Sequence, residues 1–198
     1  MAKPTGRILL ALLVLRTFVP AQVHPQTCTA LGSGAESRLI AYLTKARQNE
    51  PDKDCVVLAI RGLGNKKSLR ATELLINYLD YKRPLTNEEQ AGVWIRTPSR
   101  GELYPAVTSL FSIGTGAIPS LLQAIANSER SSVKSDNAIY TLMLIHREDP
   151  VAAVKALGSS AATNTGIQAE RLSGAAEDAA KLCLDDLRPK CMDAILGR

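Results

Sequence analysis

Beyond the first 30 residues, almost every apolar stretch repeats at the spacing of a helix face, and no run alternates with the period of a strand. Leu39, Ile40, Leu43 and Ala46 share one face behind Ser33 and Glu36, whose spacing matches a capping box. Cys55 to Leu63 is apolar nearly all round, as a buried helix is, and Gly64 follows as its expected C-cap. Leu74, Leu75, Tyr78 and Leu79 make the next stripe. Pro105 suits the first turn of a helix through Val107, Leu110, Phe111 and Ile113, closed by Gly114. Ile118, Leu121, Leu122 and Ile125 then fall at i, i+3, i+4 and i+7, and Ile139, Leu142, Met143 and Ile145 form a further stripe. Pro150 opens a helix with Val151, Val154 and Leu157, closed by Gly158. Leu172, Ala175, Ala176, Ala179, Leu182 and Cys183 line a long helix, and Cys191, Ala194 and Ile195 a last short one. The expectation is an all-α protein of about nine helices.

The helices read as pairs. Ala59-Ile60-x-x-Leu63-Gly64, Ala106-Val107-x-x-Leu110 with Ile113-Gly114, and Ala138-Ile139-x-x-Leu142 with Ile145-His146 are each followed by a second helix. The turn positions lie 50 residues apart (Gly64 to Gly114) and then 32 apart (Gly114 to His146). A recurring helix–turn–helix unit of this length marks a stacked repeat, in which each unit buries its apolar face on the next. On these residues the chain resembles a HEAT-like repeat protein over about residues 54–158, most closely in Ile113-Gly-Thr-Gly-Ala-Ile-Pro-Ser-Leu-Leu-Gln-Ala-Ile125. A degenerate further unit is read at residues 167–196. The third unit departs from the pattern, with His146 where the turn glycine belongs. The resemblance implies a HEAT-like α-solenoid of three to four helix pairs that binds a partner without catalysis.

The N-terminus reads as an address. Lys3 and Arg7 flank the apolar run from Ile8 to Leu15, and Val19 and Ala21 sit at −3 and −1 of a cleavage site before Gln22. The run is shorter than the roughly 20 residues that span a bilayer, and no other segment is read as a transmembrane helix. Residues 1–21 are therefore assigned as a signal peptide, 22–53 as a capping segment with one helix, and 54–198 as the repeat domain. Loss of Lys3, Arg7 and Arg16 takes the formal charge from +5 to +2. That excludes a strongly basic chain, and nucleic acid is not expected as a partner. Cys28, Cys55, Cys183 and Cys191 all survive processing, and an even number in an exported chain reads as two disulfides. Three connectivities are open. Joining neighbours would staple each end of the domain, because Pro189 interrupts any continuous helix between Cys183 and Cys191. No Cys-x-x-Cys and no adjacent His supports a metal site, and no cofactor is expected. The expected location is periplasmic or extracellular.

The first two units are separated by 18 residues more than the second and third, and the excess lies in residues 80–103. It carries the sole tryptophan of the chain. Insertions in solenoids gather on one face, and Trp and Arg are common at interface centres. Trp94, Arg96 and Arg100, with Lys82 and Arg83, are therefore candidate binding residues. The competing reading folds Trp94 and Ile95 back as a plug over the first unit. Arg61, Lys66, Lys67 and Arg70 extend the basic run, so the expected partner is another protein or an anionic surface polymer. Catalytic candidates are thin. Ser131-x-x-Lys134 with Ser135-Asp136-Asn137 echoes motifs of penicillin-binding proteins, but the two lie side by side and no Lys-Thr-Gly follows, so a polar helix start is the simpler reading. Gly62-x-Gly64 and Gly114-x-Gly116 lack a third glycine and follow helices, which makes them turns. His146 reads as a helix-end residue, and Asp185 and Asp186 as solvated acids. A small enzyme without recognisable motif, or an envelope assembly factor, is the alternative.

Overall fold

In a computed structural model of the chain, the structure describes residues 28, 31, 34–47, 51–92, 97–184 and 187–195. The signal-peptide assignment, Ser33, Trp94, Arg96, Asp185 and Asp186 lie outside these residues. Among the described residues the protein is all-α, without a strand. Its helices are α1 (Glu36–Ala46), α2 (Lys53–Asn65), α3 (Thr72–Ile76), α4 (Asn87–Gln90), α5 (Arg100–Leu103), α6 (Pro105–Ile113), α7 (Ile118–Asn127), α8 (Val133–Ile145), α9 (Pro150–Thr163), α10 (Gly166–Lys181) and α11 (Arg188–Ile195), with 3-10 turns at Leu69–Ala71 and Gly114–Ala117. This exceeds the nine expected, largely because the insertion contains the one-turn helices α4 and α5.

The repeated Ala-Ile/Val-x-x-Leu motif builds the core. Ala59, Ile60, Leu63, Ala106, Val107, Leu110, Ala138, Ile139 and Leu142 are all buried. Helix α2 packs on α6, and α6 on α8, so the three motif-bearing helices stack in chain order. The expected pairing of each with its follower is not what dominates. Helix α7 packs chiefly on α8 and α10, and α9 on α10 and α11, with little contact between α9 and α8. After Ile145 the regular succession therefore shifts, and α10 occupies the place against α7. Local periodicity determines which face of a helix is apolar, but several neighbours of similar shape can cover that face.

Two expected C-caps are corrected. Gly64 lies within α2, and the left-handed residue that ends the helix is Lys67, at φ 49°. Gly64 serves close packing instead: a Cβ there would sit 2.6 Å from the Cα of Ser109 on α6. Gly158 lies inside α9, which runs on to Thr163. Gly114, at φ 79°, does close α6. Ala35 stands at the N-cap of α1 and makes no side-chain cap, while Glu36 accepts a hydrogen bond from the Ser68 hydroxyl. Leu182, expected in the core stripe, is 55% exposed because α10 ends one residue before it.

Of the three open connectivities, the structure contains Cys28–Cys55, with Cα atoms 4.9 Å apart, and Cys183–Cys191, at 6.8 Å. The first ties the N-terminal segment to α2, and the second ties the end of α10 to α11. Buried polar ties join distant helices. Tyr78 donates to the Leu43 carbonyl at 2.6 Å, Ser109 to the Ile60 carbonyl at 2.9 Å, and Asn137 to the Leu79 carbonyl. One stretch, Pro105–Asn127, is long and apolar enough to cross a membrane by length and composition, which corrects the expectation that none would be. Here it is divided by the turn at Gly114, and its two helices pack into the core.

Candidate functional site

The described parts of the insertion, residues 80–92 and 97–103, carry built elements. Thr86 accepts from the Glu89 N–H while the Glu89 carboxylate accepts from the Thr86 N–H, and Ser99 and Glu102 repeat this reciprocal arrangement. Both boxes are legible in the sequence as Thr-x-x-Glu and Ser-x-x-Glu.

Arg83 clamps the base of the insertion. Its N–H donates to the Leu103 carbonyl at 2.9 Å, joining the two ends. Its Nε donates to the Glu102 carbonyl at 2.8 Å, and its Nη1 to the Pro84 carbonyl at 2.8 Å. Nη1 and Nη2 then grip the Glu89 carboxylate at 2.7 and 2.6 Å. The two side chains are only 15% and 13% exposed. Four of the five guanidinium N–H donors are thus engaged. Planar bidentate pairing of this kind is a property of Arg that Lys does not share.

Two hydrogen bonds from Arg83, and then the Thr86 N–H, hold the Glu89 carboxyl from its usual 4.5 down to about 2. A depressed carboxyl contributes its stability above the unfolded value, and loses it as pH falls through the folded one. The clamp should be complete above pH 4.5, weaken on further acidification and be gone below about pH 2. Limited proteolysis by pepsin across that range reads this directly. Cleavage within residues 81–92 of the parent chain, taken relative to Arg83→Met at the same pH, should rise progressively as pH falls from 4.5 to about 2. Arg83→Met lacks the clamp at every pH.

The other predicted residues are more open. Lys82 is exposed. Arg100 is exposed, with its guanidinium carbon 5.5 Å from the centre of the Tyr140 ring, a cation–π contact between the insertion and α8. Trp94, Ile95 and Arg96 lie outside the described residues. Arg61, a member of the basic run, lies on α2. It is exposed and has no hydrogen-bond or ion-pair partner among the described residues.

Arg61 and Glu102 stand between two adjoining clefts. One, of about 320 Å³, lies against Asp54, Val57, Arg83, Pro84 and Thr86. The other, of about 300 Å³, lies against Asn65, Gly101, Thr108, Ser109 and Ser112. The second is rich in hydroxyls whose protons are already committed to backbone carbonyls: Thr108 to Gly101, Ser109 to Ile60 and Ser112 to Thr108, each at 2.9 Å. Their lone pairs remain as acceptors. A Cβ at Gly101 would lie 2.8 Å from the Thr108 hydroxyl, which would have to rotate away.

Lys134, Ser135, Asp136 and Asn137 lie in the first turns of α8. Ser132 caps α8 by accepting from the Ser135 N–H at 3.2 Å, and Ser135 and Asn137 are buried. His146 forms the C-cap of α8, and its Nε2 is buried without a partner among the described residues. Asp52 lies beside Cys28 and Cys55, close enough for the three to suggest a metal site, but both sulfurs are committed to each other in the disulfide. No family model, no curated protein and no solved structure matches the chain.

Proposed function

We propose that this is an exported, non-catalytic binding protein, an irregular HEAT-like stack that meets another protein through the insertion and the α2 face beside it. The observation that carries this is the Arg83 clamp, which spends five donated hydrogen bonds on holding a surface element in one shape. Preorganised surface loops of this kind lower the ordering cost of association. Arg61, Lys82 and Arg100 supply exposed positive charge beside the clefts, which suits a partner with acidic side chains. The two disulfides support an oxidising destination. The order α2–α6–α8 with its shared motif supports the HEAT-like reading.

Affinity capture with the oxidised chain, lacking residues 1–21, tests this. The retained protein should be lost when residues 84–102 are replaced by a short Gly-Ser linker. It should be weakened about tenfold or more in Arg61→Glu, in line with a like-charge juxtaposition at a rim, and should elute as salt rises. Equal retention by all three chains would remove the insertion from the binding surface.

A further inference from the structure

A second groove lies between α7, α9 and α10, away from the residues of the insertion, with a volume of about 400 Å³. Its polar lining is Gln123, Asn127, Ser160, Asn164 and Gln168, with no charged residue among the described lining, although Arg171 on α10 reaches its margin and donates to the Ala126 carbonyl at 3.3 Å. Four of the chain's 13 carboxamides meet in this one place. Pro119, Leu122 and Ala126 complete the lining as an apolar floor.

Gln123 and Asn127 are exposed and Asn164 and Gln168 half-buried, and few of their donors are tied to protein groups among the described residues. Gln168 donates to the Asn127 side-chain oxygen at 2.9 Å, and Asn164 donates to the Ser160 carbonyl at 2.8 Å. Gln123 has no partner among the described residues. Each carboxamide carries two N–H donors and an oxygen with two lone pairs, so donors and acceptors remain side by side across the groove.

We infer that this groove binds an extended, uncharged stretch of another polypeptide through its main-chain amides. A carboxamide offers one N–H and one C=O in the same plane, the complement of the N–H and C=O that one residue of an extended chain turns to the same side. Along an extended chain that pair recurs every second residue, about 6.6–6.8 Å. Gln123 and Asn127, four residues apart on α7, are separated by about 6 Å along the helix axis. The two repeats are commensurate over one step, which lets both carboxamides address one strand. The described lining residues are neutral, and the guanidinium of Arg171 at the margin is engaged with the Ala126 carbonyl, which argues against a phosphate-bearing or strongly charged ligand. The lining also lacks an aromatic ring on which a sugar could stack, which favours a peptide over a glycan. The floor of Pro119, Leu122 and Ala126 suits small apolar side chains. This inference uses none of the insertion residues and stands apart from the reading of that surface.

The test is a titration of the oxidised chain, lacking residues 1–21, with a blocked heptapeptide of alternating alanine and serine, followed by NMR of the side-chain carboxamides. Saturable shifts are expected at Gln123, Asn127, Asn164 and Gln168, unchanged when residues 84–102 are replaced. The same peptide methylated at its backbone nitrogens should not bind. Asn127→Ala and Gln168→Ala should each weaken binding about fivefold, the effect of one net hydrogen bond, without lowering the melting temperature. Gln123→Glu, which removes the donors and keeps the shape, should do the same and guards against an alanine variant that fails to fold. Absence of saturable shifts at millimolar peptide, equal binding of the methylated peptide, or preference for a neutral oligosaccharide such as maltohexaose would each overturn the inference.

Discussion

Gly64→Ala is expected to destabilise the protein by about 2–3 kcal/mol, the cost of overpacking a close crossing. For a chain of this size that lowers the melting temperature by roughly 5–10 °C. The position is interior to α2, where helix propensity alone favours alanine over glycine by about 1 kcal/mol. The two effects have opposite signs, which makes the measurement decisive. The new methyl would stand 2.6 Å from both the Cα and the Oγ of Ser109. A side chain could rotate away, but the Cα is backbone, so α2 and α6 must part. Parting them also strains the bond from Ser109 to the Ile60 carbonyl. Ser109→Ala in the Gly64→Ala background removes only the Oγ contact and should restore little. A Gly64→Ala chain as stable as the parent in thermal denaturation, or more so, would show that the crossing is looser than described.

Removal of the Cys28–Cys55 bridge is expected to cost about 3.5 kcal/mol, and removal of Cys183–Cys191 about 2.5 kcal/mol, on the chain-entropy account of loop closure. The difference follows from the separations, 27 residues against 8. Packing widens it in the same direction. Cys55 is 2% exposed at the start of α2, among Leu39, Leu43 and other core residues, so its loss also loosens the seat of α1. The second bridge ties α11 to the end of α10, beside the exposed Leu182, Leu184 and Met192. Urea unfolding of Cys28→Ala/Cys55→Ala and of Cys183→Ala/Cys191→Ala, each against the parent, gives the two values. Reduction of the parent should reproduce their sum within the additivity expected of distant sites. A larger loss from the C-terminal pair would mean that α11 carries more of the fold than its short, mostly exposed helix suggests.

Part of the candidate site was open to reading from residues alone. The two capping boxes of residues 80–103 are present in the sequence as Thr86-x-x-Glu89 and Ser99-x-x-Glu102. What could not be read was the division of labour among the bases of that segment. Arg83, Lys82 and Arg100 look alike in a list of cations, yet Arg83 is committed to the clamp while Arg100 lies over Tyr140 and Lys82 is exposed. Arg61 lies some 20 residues upstream of the insertion and becomes part of the same surface only because α2 and α6 cross at Gly64. The carboxamide groove had no signature at all, since Gln123 and Gln168 are 45 residues apart and meet only through the packing of α10 on α7.

The sequence by itself determined the class of structure. Helix faces, proline starts and the Gly114 turn depend on interactions within three or four residues, and those are written in the local order of side chains. It also determined which positions are core, since Ala59, Ile60 and Leu63 and their counterparts at 106–110 and 138–142 are buried as their spacing requires. Only the tertiary structure decided which helix lies on which. An apolar stripe requires burial but does not name its cover. The choice of α10 over α9 as the neighbour of α7, the use of Gly64 as a crossing point and the pairing of the cysteines all turn on contacts between residues far apart in the chain. Those contacts depend on shape at the scale of one methyl group, and no local pattern records it.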